Sequence, residues 1–277
     1  MSSPQLVRAL ALSCHPLPSV AVTMLGAGLA ALAGLSVGSA VLVTAAVFTG
    51  QLSIGWSNDY LDAERDRAVH RSDKPVAVGA LAPRVAGIAA VVALIVTIAL
   101  SAALGWPGGA AALVIVLTGW AYNLGLKATV LSWLPYAIAF GMLPAVATLS
   151  ASPPRWPAAW ALTAGGLLGV AAHLANVLPD LGDDVATGIR GLPHRIGART
   201  TALTAAAILL TASAVILFGP VGQPGPWRWA GFAAAVFVAG AAARIAYGDP
   251  SSRRFFRAVI LVAALDLVSF AFSGVRL

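Results

Sequence analysis

Charged side chains are scarce. Only 10% of the 277 residues are Asp, Glu, Lys or Arg, against about 25% in an ordinary soluble domain. So few charges could not cover the surface of a water-soluble fold of this size. A soluble enzyme or binding module is therefore excluded, and the bilayer is the expected solvent. Cysteine is nearly absent as well. The single Cys14 rules out an internal disulfide and reads as a small apolar residue near the first helix. Met1 to Ser13 lacks a basic segment followed by a small-residue cleavage site, so no cleavable signal peptide is expected. The formal net charge of +7 raises nucleic acid as a partner. The positive charges, however, fall in short connections between apolar runs, which is the positive-inside pattern, and no nucleic-acid partner is expected.

What is present is apolar: 59% of the chain is hydrophobic. A membrane span needs about 20 mostly apolar residues. Nine such segments are read, at 17–35, 38–58, 83–104, 109–125, 131–150, 157–178, 200–219, 228–247 and 255–274. Turns fall at Gly105-Trp106-Pro107-Gly108, Ser152-Pro153-Pro154, Gly219-Pro220 and Gly248-Asp249-Pro250. The expectation is an all-α integral membrane protein, one domain over residues 1–277, with nine transmembrane helices around a central cavity. Gly34-x-x-x-Gly38 and Gly165-x-x-x-Gly169 offer small faces for close helix packing.

Alternating loops give an orientation. With the N-terminus inside, 14 of the 17 Lys and Arg fall on the inner side, and only Arg155, Arg228 and Arg276 fall outside. This split supports a cytoplasmic N-terminus and, with nine spans, an outer C-terminus. Arg outnumbers Lys 15 to 2, which points to a GC-rich bacterial genome and a bacterial cell membrane.

The acids are more uneven still. Eight of the ten lie in two stretches: Asp59, Asp62, Glu64, Asp66 and Asp73, then Asp180, Asp183 and Asp184. Both stretches begin at the inner end of a span. On a continuous helix, residues four apart nearly align. Asn58, Asp62 and Asp66 then form one stripe, joined by Asp59. Asn176, Asp180 and Asp184 form a second with the same spacing, and Asp183 lies beside it. Like charges at this spacing repel, and a carboxylate at membrane depth costs roughly 2.5–3.5 kcal/mol. A divalent cation offsets both costs. Carboxylate oxygens are hard ligands suited to magnesium, which shares its remaining positions with substrate phosphates. Arg67, Arg71, Lys74, Lys127, Arg190 and Arg195 stand ready for those phosphate oxygens.

At these residues the chain resembles the UbiA superfamily of intramembrane prenyltransferases. Asn58-Asp59-x-x-Asp62-x-x-x-Asp66 matches the family's first aspartate motif in full. Arg71-Ser72-Asp73-Lys74-Pro75-Val76-Ala77-Val78-Gly79 looks like its Arg-Thr-x-x-Arg-Pro-Leu-x-x-Gly segment, one residue shorter and with Lys for the second Arg. Tyr122 with Lys127 resembles the Tyr and Lys after helix four, and Asn176 to Asp184 with Gly188 resembles the second motif. The resemblance implies nine helices and a magnesium-bound isoprenyl diphosphate held by Asp62, Asp66, Asp180 and Asp184. It also implies transfer of the prenyl group to an acceptor, usually an aromatic ring or quinone precursor. Arg71, Lys74 and Lys127 would stabilise the departing diphosphate. Asn58, Asp59, Tyr122, Asn176, Asp183 and Arg190 complete the expected substrate-binding set.

Two positions depart from the family. His173 stands seven residues before Asp180, where many members carry an acid, and His15-Pro16 stands where a basic residue and Pro are common. His173 can face the cavity or pack within its helix. His70 and His194 read as loop residues. Asp266 lies inside the ninth span, and a hydrogen bond to a neighbouring helix is its favoured reading. Trp106, Trp156, Trp160, Trp227 and Trp229 read as interfacial anchors, with Trp133 placed near the inner cavity. A terpene cyclase on the same fold, needing no acceptor, stays open as an alternative. A cation transporter is disfavoured, because such sites lie near the bilayer midplane rather than beside interfacial bases.

Overall fold

The computed structural model describes residues 3–249 and 252–273. Pro250 of an expected turn and Arg276 of the expected outer charges lie outside the described residues. Among the described residues, helix is the only extended regular element. In chain order the α-helices are α1 (Ser3–Ser13), α2 (Pro16–Leu32), α3 (Val37–Leu61), α4 (Ala63–Ala68), α5 (Pro83–Ala103), α6 (Trp106–Asn123), α7 (Leu134–Leu149), α8 (Ala159–Val177), α9 (Leu181–Ala186), α10 (Leu192–Ile196), α11 (Ala198–Phe218), α12 (Pro226–Gly248) and α13 (Arg254–Phe272). Short 3₁₀ turns occupy Leu126–Ala128 and Leu178–Asp180.

The long helices α2, α3, α5, α6, α7, α8, α11, α12 and α13 each cover one of the segments read from hydropathy. Their starts follow local chemistry. Pro stands in the first turn of α2, α5, α6, α7 and α12, where its missing N–H leaves no bond unmade. The Ser36 hydroxyl caps α3 by accepting from the Ser39 N–H at 3.2 Å. Six helices are long and apolar enough to cross a membrane: α3, α5, α8 with its continuation to Ala186, α11, α12 and α13. A seventh span results if α1 and α2, bent by 68° at their junction, are taken as one. The protein is therefore a multi-pass membrane protein. Helix positions match the nine expected spans, while fewer than nine helices meet the length and hydropathy requirement.

The helices form a ring in which each packs on the next, from α2 through α3, α5, α6, α7, α8, α11, α12 and α13, and α13 closes back on α2. Small residues let them approach. The core between α8, α11, α12 and α13 is largely alanine, including Ala171, Ala175, Ala205, Ala235 and Ala239. Large apolar residues such as Ile88, Ile95, Leu117 and Phe237 point outward, where hydrocarbon rather than water suits them.

The two glycine pairs have different fates. Gly165 and Gly169 press α8 onto the backbone of α7, and a Cβ at Gly165 would stand 2.5 Å from the Phe140 carbonyl oxygen. Gly34 lies in the α2–α3 turn at φ +72°, and neither it nor Gly38 has a neighbour within 4 Å of a built Cβ. Gly165→Ala is thus expected to destabilise the protein by about 1–3 kcal/mol, the usual cost of overpacking. Gly38→Ala, inside α3, is expected to be neutral or slightly stabilising. Thermal unfolding in detergent compares the two, and equal midpoints would refute the close α7–α8 contact.

Both acidic motifs sit where a long helix breaks. α3 ends at Leu61, Asp62 takes φ −91° and ψ 0°, and α4 restarts at Ala63. α8 ends at Val177, just before Pro179, whose missing N–H cannot continue the ladder. A 3₁₀ turn and α9 then carry Asp180 and Asp184. The expected unbroken stripes are therefore corrected to two helix breaks, each followed by a short helix.

Candidate active site

One cavity of about 880 Å³ is lined by Asn58, Asp62 and Asp66 from the first motif and by Asn176, Asp180 and Asp184 from the second. Arg71, Lys74, Tyr122 and Lys127 line it too. The residues expected to act together are thus brought together from four separate stretches of chain.

Charges within the cavity are matched in detail. The Lys127 ammonium donates to both Asp62 oxygens, at 2.6 Å to Oδ2, and Arg65, one helical turn on, pairs with the same carboxylate. Lys74 reaches Asp66 at 2.9 Å and Asp59 at 3.2 Å, and donates to the Asn58 side-chain oxygen at 3.2 Å. Asn58 in turn donates to Asp62 at 3.0 Å. Arg71 pairs with Asp180 at 3.2 Å and with Asp73 at 2.9 Å. Arg253, just before α13, closes on the other Asp73 oxygen at 2.8 Å. His194 lies 3.3 Å from Asp184.

Burial and neighbours set the charge states. Burial pulls the Lys127 ammonium down, against the opposing charge of Asp62. Burial acts on Lys74 in the same sense, but Asp59 and Asp66 outweigh it and hold that ammonium above its usual range. The Arg71 hydrogen bond holds the Asp73 carboxyl well below the usual carboxylate range.

Some expected residues are placed elsewhere. Asp59 is buried at the cavity edge but faces the α1–α2 junction, because one residue beyond Asn58 turns a side chain about 100°. There it accepts from the Ser13 hydroxyl at 2.8 Å and meets His15 at 3.1 Å, so it anchors that junction and Lys74. Asp183 is exposed on the outer face of α9, and Arg190 is exposed beyond it. Neither belongs to the cavity lining. Arg67 and Arg195 are turned away as well, donating to the carbonyls of Val76 and Arg190. Trp133 is absent from the lining. Asp266 accepts from the Ser213 hydroxyl of α11 at 2.7 Å, the inter-helix hydrogen bond favoured for it.

Other contributors went unread in the sequence. Asn123 accepts from Asn58 at 3.2 Å and donates to Ser57 and to the Ile54 carbonyl, both at 2.9 Å. Its signal was an amide at the end of an apolar span. Arg65 stands three residues after Asp62, a pairing distance on a helix. Ser13 and Arg253 carry no such local signal, and His15, noted as a departure from the family pattern, gave no hint of its contact with Asp59.

The donor set suits a hard divalent cation, since it consists of carboxylate and amide oxygens with His194 at its margin. Among the described residues, no three His, Cys, Asp or Glu groups lie close enough to hold an ion by themselves. An ion here would complete its shell with water or ligand oxygens, as magnesium commonly does.

Comparisons with known proteins bear on the family and the fold. A model of the UbiA prenyltransferase family matches residues 19–265. No curated protein matches the chain. Among solved structures, a UbiA homologue from Archaeoglobus fulgidus bound to GPP and Mg2+ is similar at 15% identity and TM-score 0.75, over 96% of this chain and 99% of that one. An apo UbiA homologue from Aeropyrum pernix K1 is similar at 17% identity and TM-score 0.75, over 92% and 97%. A digeranylgeranylglyceryl phosphate synthase is similar at 14% identity and TM-score 0.68, over 96% and 98%. At these identities the structures speak for the fold. The family match spans most of the sequence and takes in both acidic motifs, and the chain belongs to the UbiA prenyltransferase family.

Proposed function

We propose that the protein is a magnesium-dependent intramembrane prenyltransferase. It ionises an isoprenyl diphosphate, transfers the prenyl group to an acceptor of the aromatic or quinone-precursor class, and releases diphosphate. The observation that carries this reading is the convergence of both acidic motifs and three buried or half-buried cations on one cavity. The A. fulgidus homologue, with GPP or DMAPP and Mg2+ bound, supports it. The positive-inside distribution adds the orientation: nine crossings, N-terminus and cavity mouth toward the cytoplasm, C-terminus outside.

Asp62 and Asp66 on one side and Asp180 and Asp184 on the other would hold magnesium, which when bound draws charge from the leaving group. Lys127, Lys74 and Arg71 move from carboxylate partners to diphosphate oxygens as the substrate seats, exchanging one charge-assisted bond for another. The allylic C–O bond breaks with its electron pair on the diphosphate oxygen. The carbocation left behind faces the Tyr122 ring, whose π-face stabilises positive charge. An acceptor ring carbon forms the new C–C bond with its π electrons, and the proton it then loses passes to the released diphosphate. The apolar walls keep water from capturing the cation first.

Chelation with EDTA is expected to abolish diphosphate release by the protein in proteoliposomes, and added Mg2+ to restore it. A panel of C10 to C20 and longer diphosphates, with and without aromatic acceptors, reads the product. Release that survives chelation would overturn the metal assignment. Cyclic hydrocarbons formed without acceptor would replace transfer by cyclisation.

A further inference from the structure

Beside the charged cluster, the cavity has an aromatic end. Tyr122 from α6, Tyr136 and Phe140 from α7 and His173 from α8 all line it. The Tyr122 and Tyr136 rings meet edge to face at 5.3 Å, and Tyr136 stacks along Phe140 at 6.4 Å. His173 lies 5.7 Å from Tyr122 and 5.1 Å from Tyr136, centroid to centroid. The cage adjoins the first motif, since Tyr122 precedes Asn123, which is bonded to Asn58.

Hydrogen bonding fixes how this histidine presents itself. Ser132 is fully buried, and its hydroxyl oxygen accepts from the Leu192 backbone N–H at 3.1 Å. The same oxygen lies 3.0 Å from His173 Nε2. Among the described residues the Ser132 hydroxyl proton has no other acceptor, so it points at Nε2. In the neutral ring, the imidazole proton then sits on Nδ1. His173 is 1% exposed, and its Nδ1 is buried without a hydrogen-bond partner among the described residues. A buried donor left unpaired is costly, and native structures rarely keep one without reason. Its hydrogen-bond and ring partners, Ser132 and the two tyrosines, are neutral, and the titratable group that acts on it is a second histidine, His194.

We propose that this cage is the acceptor subsite, and that His173 selects the acceptor by donating its Nδ1–H to a hydroxyl or carbonyl oxygen on a flat, uncharged ring. The proposal rests on the prenyltransferase reading and adds the acceptor's class. Aromatic walls with one oriented donor suit an oxygen-bearing ring. A hydrocarbon tail would leave the donor unpaired, and a carboxylate would be buried against a single neutral partner at high cost. Ser132 is a positioning residue, acting through the tautomer it imposes.

The test uses the full-length protein in nanodiscs with Mg2+ and an allylic diphosphate. The acceptors are 1-naphthol and its carboxylated counterpart 1-hydroxy-2-naphthoate. Naphthol is the expected substrate. His173→Phe is expected to raise the naphthol KM roughly tenfold, the effect of losing one neutral hydrogen bond, while the diphosphate KM stays within about twofold. His173→Gln, which keeps an N–H donor, is expected to recover most of the loss. Preference for the naphthoate, an unchanged naphthol KM in His173→Phe, or equal loss in the Phe and Gln variants would each overturn the proposal while leaving prenyl transfer intact. Acceptor-free turnover to cyclic products, equal in wild type and His173→Phe, would instead overturn the transferase reading and the proposal with it.

Discussion

Asp62→Asn is expected to slow diphosphate release by about a thousandfold or more, the scale on which metal and electrostatic stabilisation of a leaving group operates. Asp62 stands at the α3–α4 break, is 4% exposed, and is gripped by Lys127 and Arg65. Asn keeps its shape but not its charge. It is a poor ligand for a hard cation, and it leaves two partly buried cations without their counter-ion. Asp62→Ala is expected to do further damage, since removing one partner of a buried pair costs about 3–5 kcal/mol. The two effects separate by measurement. Turnover with saturating Mg2+ reads the chemistry, and thermal unfolding in detergent reads the fold. An Asn variant with more than a tenth of wild-type turnover would mean that Asp62 holds Lys127 in place and does not hold the metal.

The second large effect is a contrast along the short stretch from the 3₁₀ turn through α9 and just beyond it. Asp180→Asn is expected to lower turnover by about a hundredfold or more. Asp183→Asn and Arg190→Ala are expected to stay within about twofold, as exposed substitutions usually do. Asp180 lines the cavity opposite the first motif and pairs with Arg71. Asp183 is exposed on the outer face of α9. Parallel assays of the three variants decide the matter. Equal losses at Asp180 and Asp183 would mean that α9 turns its other face to the substrate.

This contrast marks where sequence reading stops. Helix positions were legible because apolar runs of span length leave a chain few other choices. Lys127 was legible as a base in a short connection after a span, whereas Tyr122, inside α6, was legible only through the resemblance to the family. Side-chain direction at the motifs was not. The aligned-stripe argument assumes one continuous helix, and both helices break within the motif, at Asp62 and before Pro179. Asp59, still within α3 and one residue round from Asn58, serves the α1–α2 junction through Ser13 and His15, partners more than forty positions away. The glycine pairs teach the same lesson. Their spacing is identical, but one straddles a turn and the other a helix contact, a difference that only tertiary packing makes. His173 was visible as an oddity in an apolar span, whereas its lock on Ser132 depends on a loop across the bundle.

The ring of helices has one further consequence. Every neighbouring pair in it is consecutive along the chain except α13 and α2, which also meet more sparsely than α12 and α13 do. All other seams are stitched by a connecting loop, and parting them would stretch backbone. This one is closed by packing instead, with Leu267 of α13 pressed against Gly28 of α2, and Leu25 and Leu267 on its two sides border the cavity. Parting that contact would let a greasy molecule dissolved in the bilayer enter sideways without first crossing the charged mouth. Arrival of a lipid-soluble partner and escape of a still greasier product would then answer to the tension and packing of the surrounding membrane, while the ionic substrate groups would answer to salt and magnesium in the water. One small enzyme would thus be regulated from two different solvents.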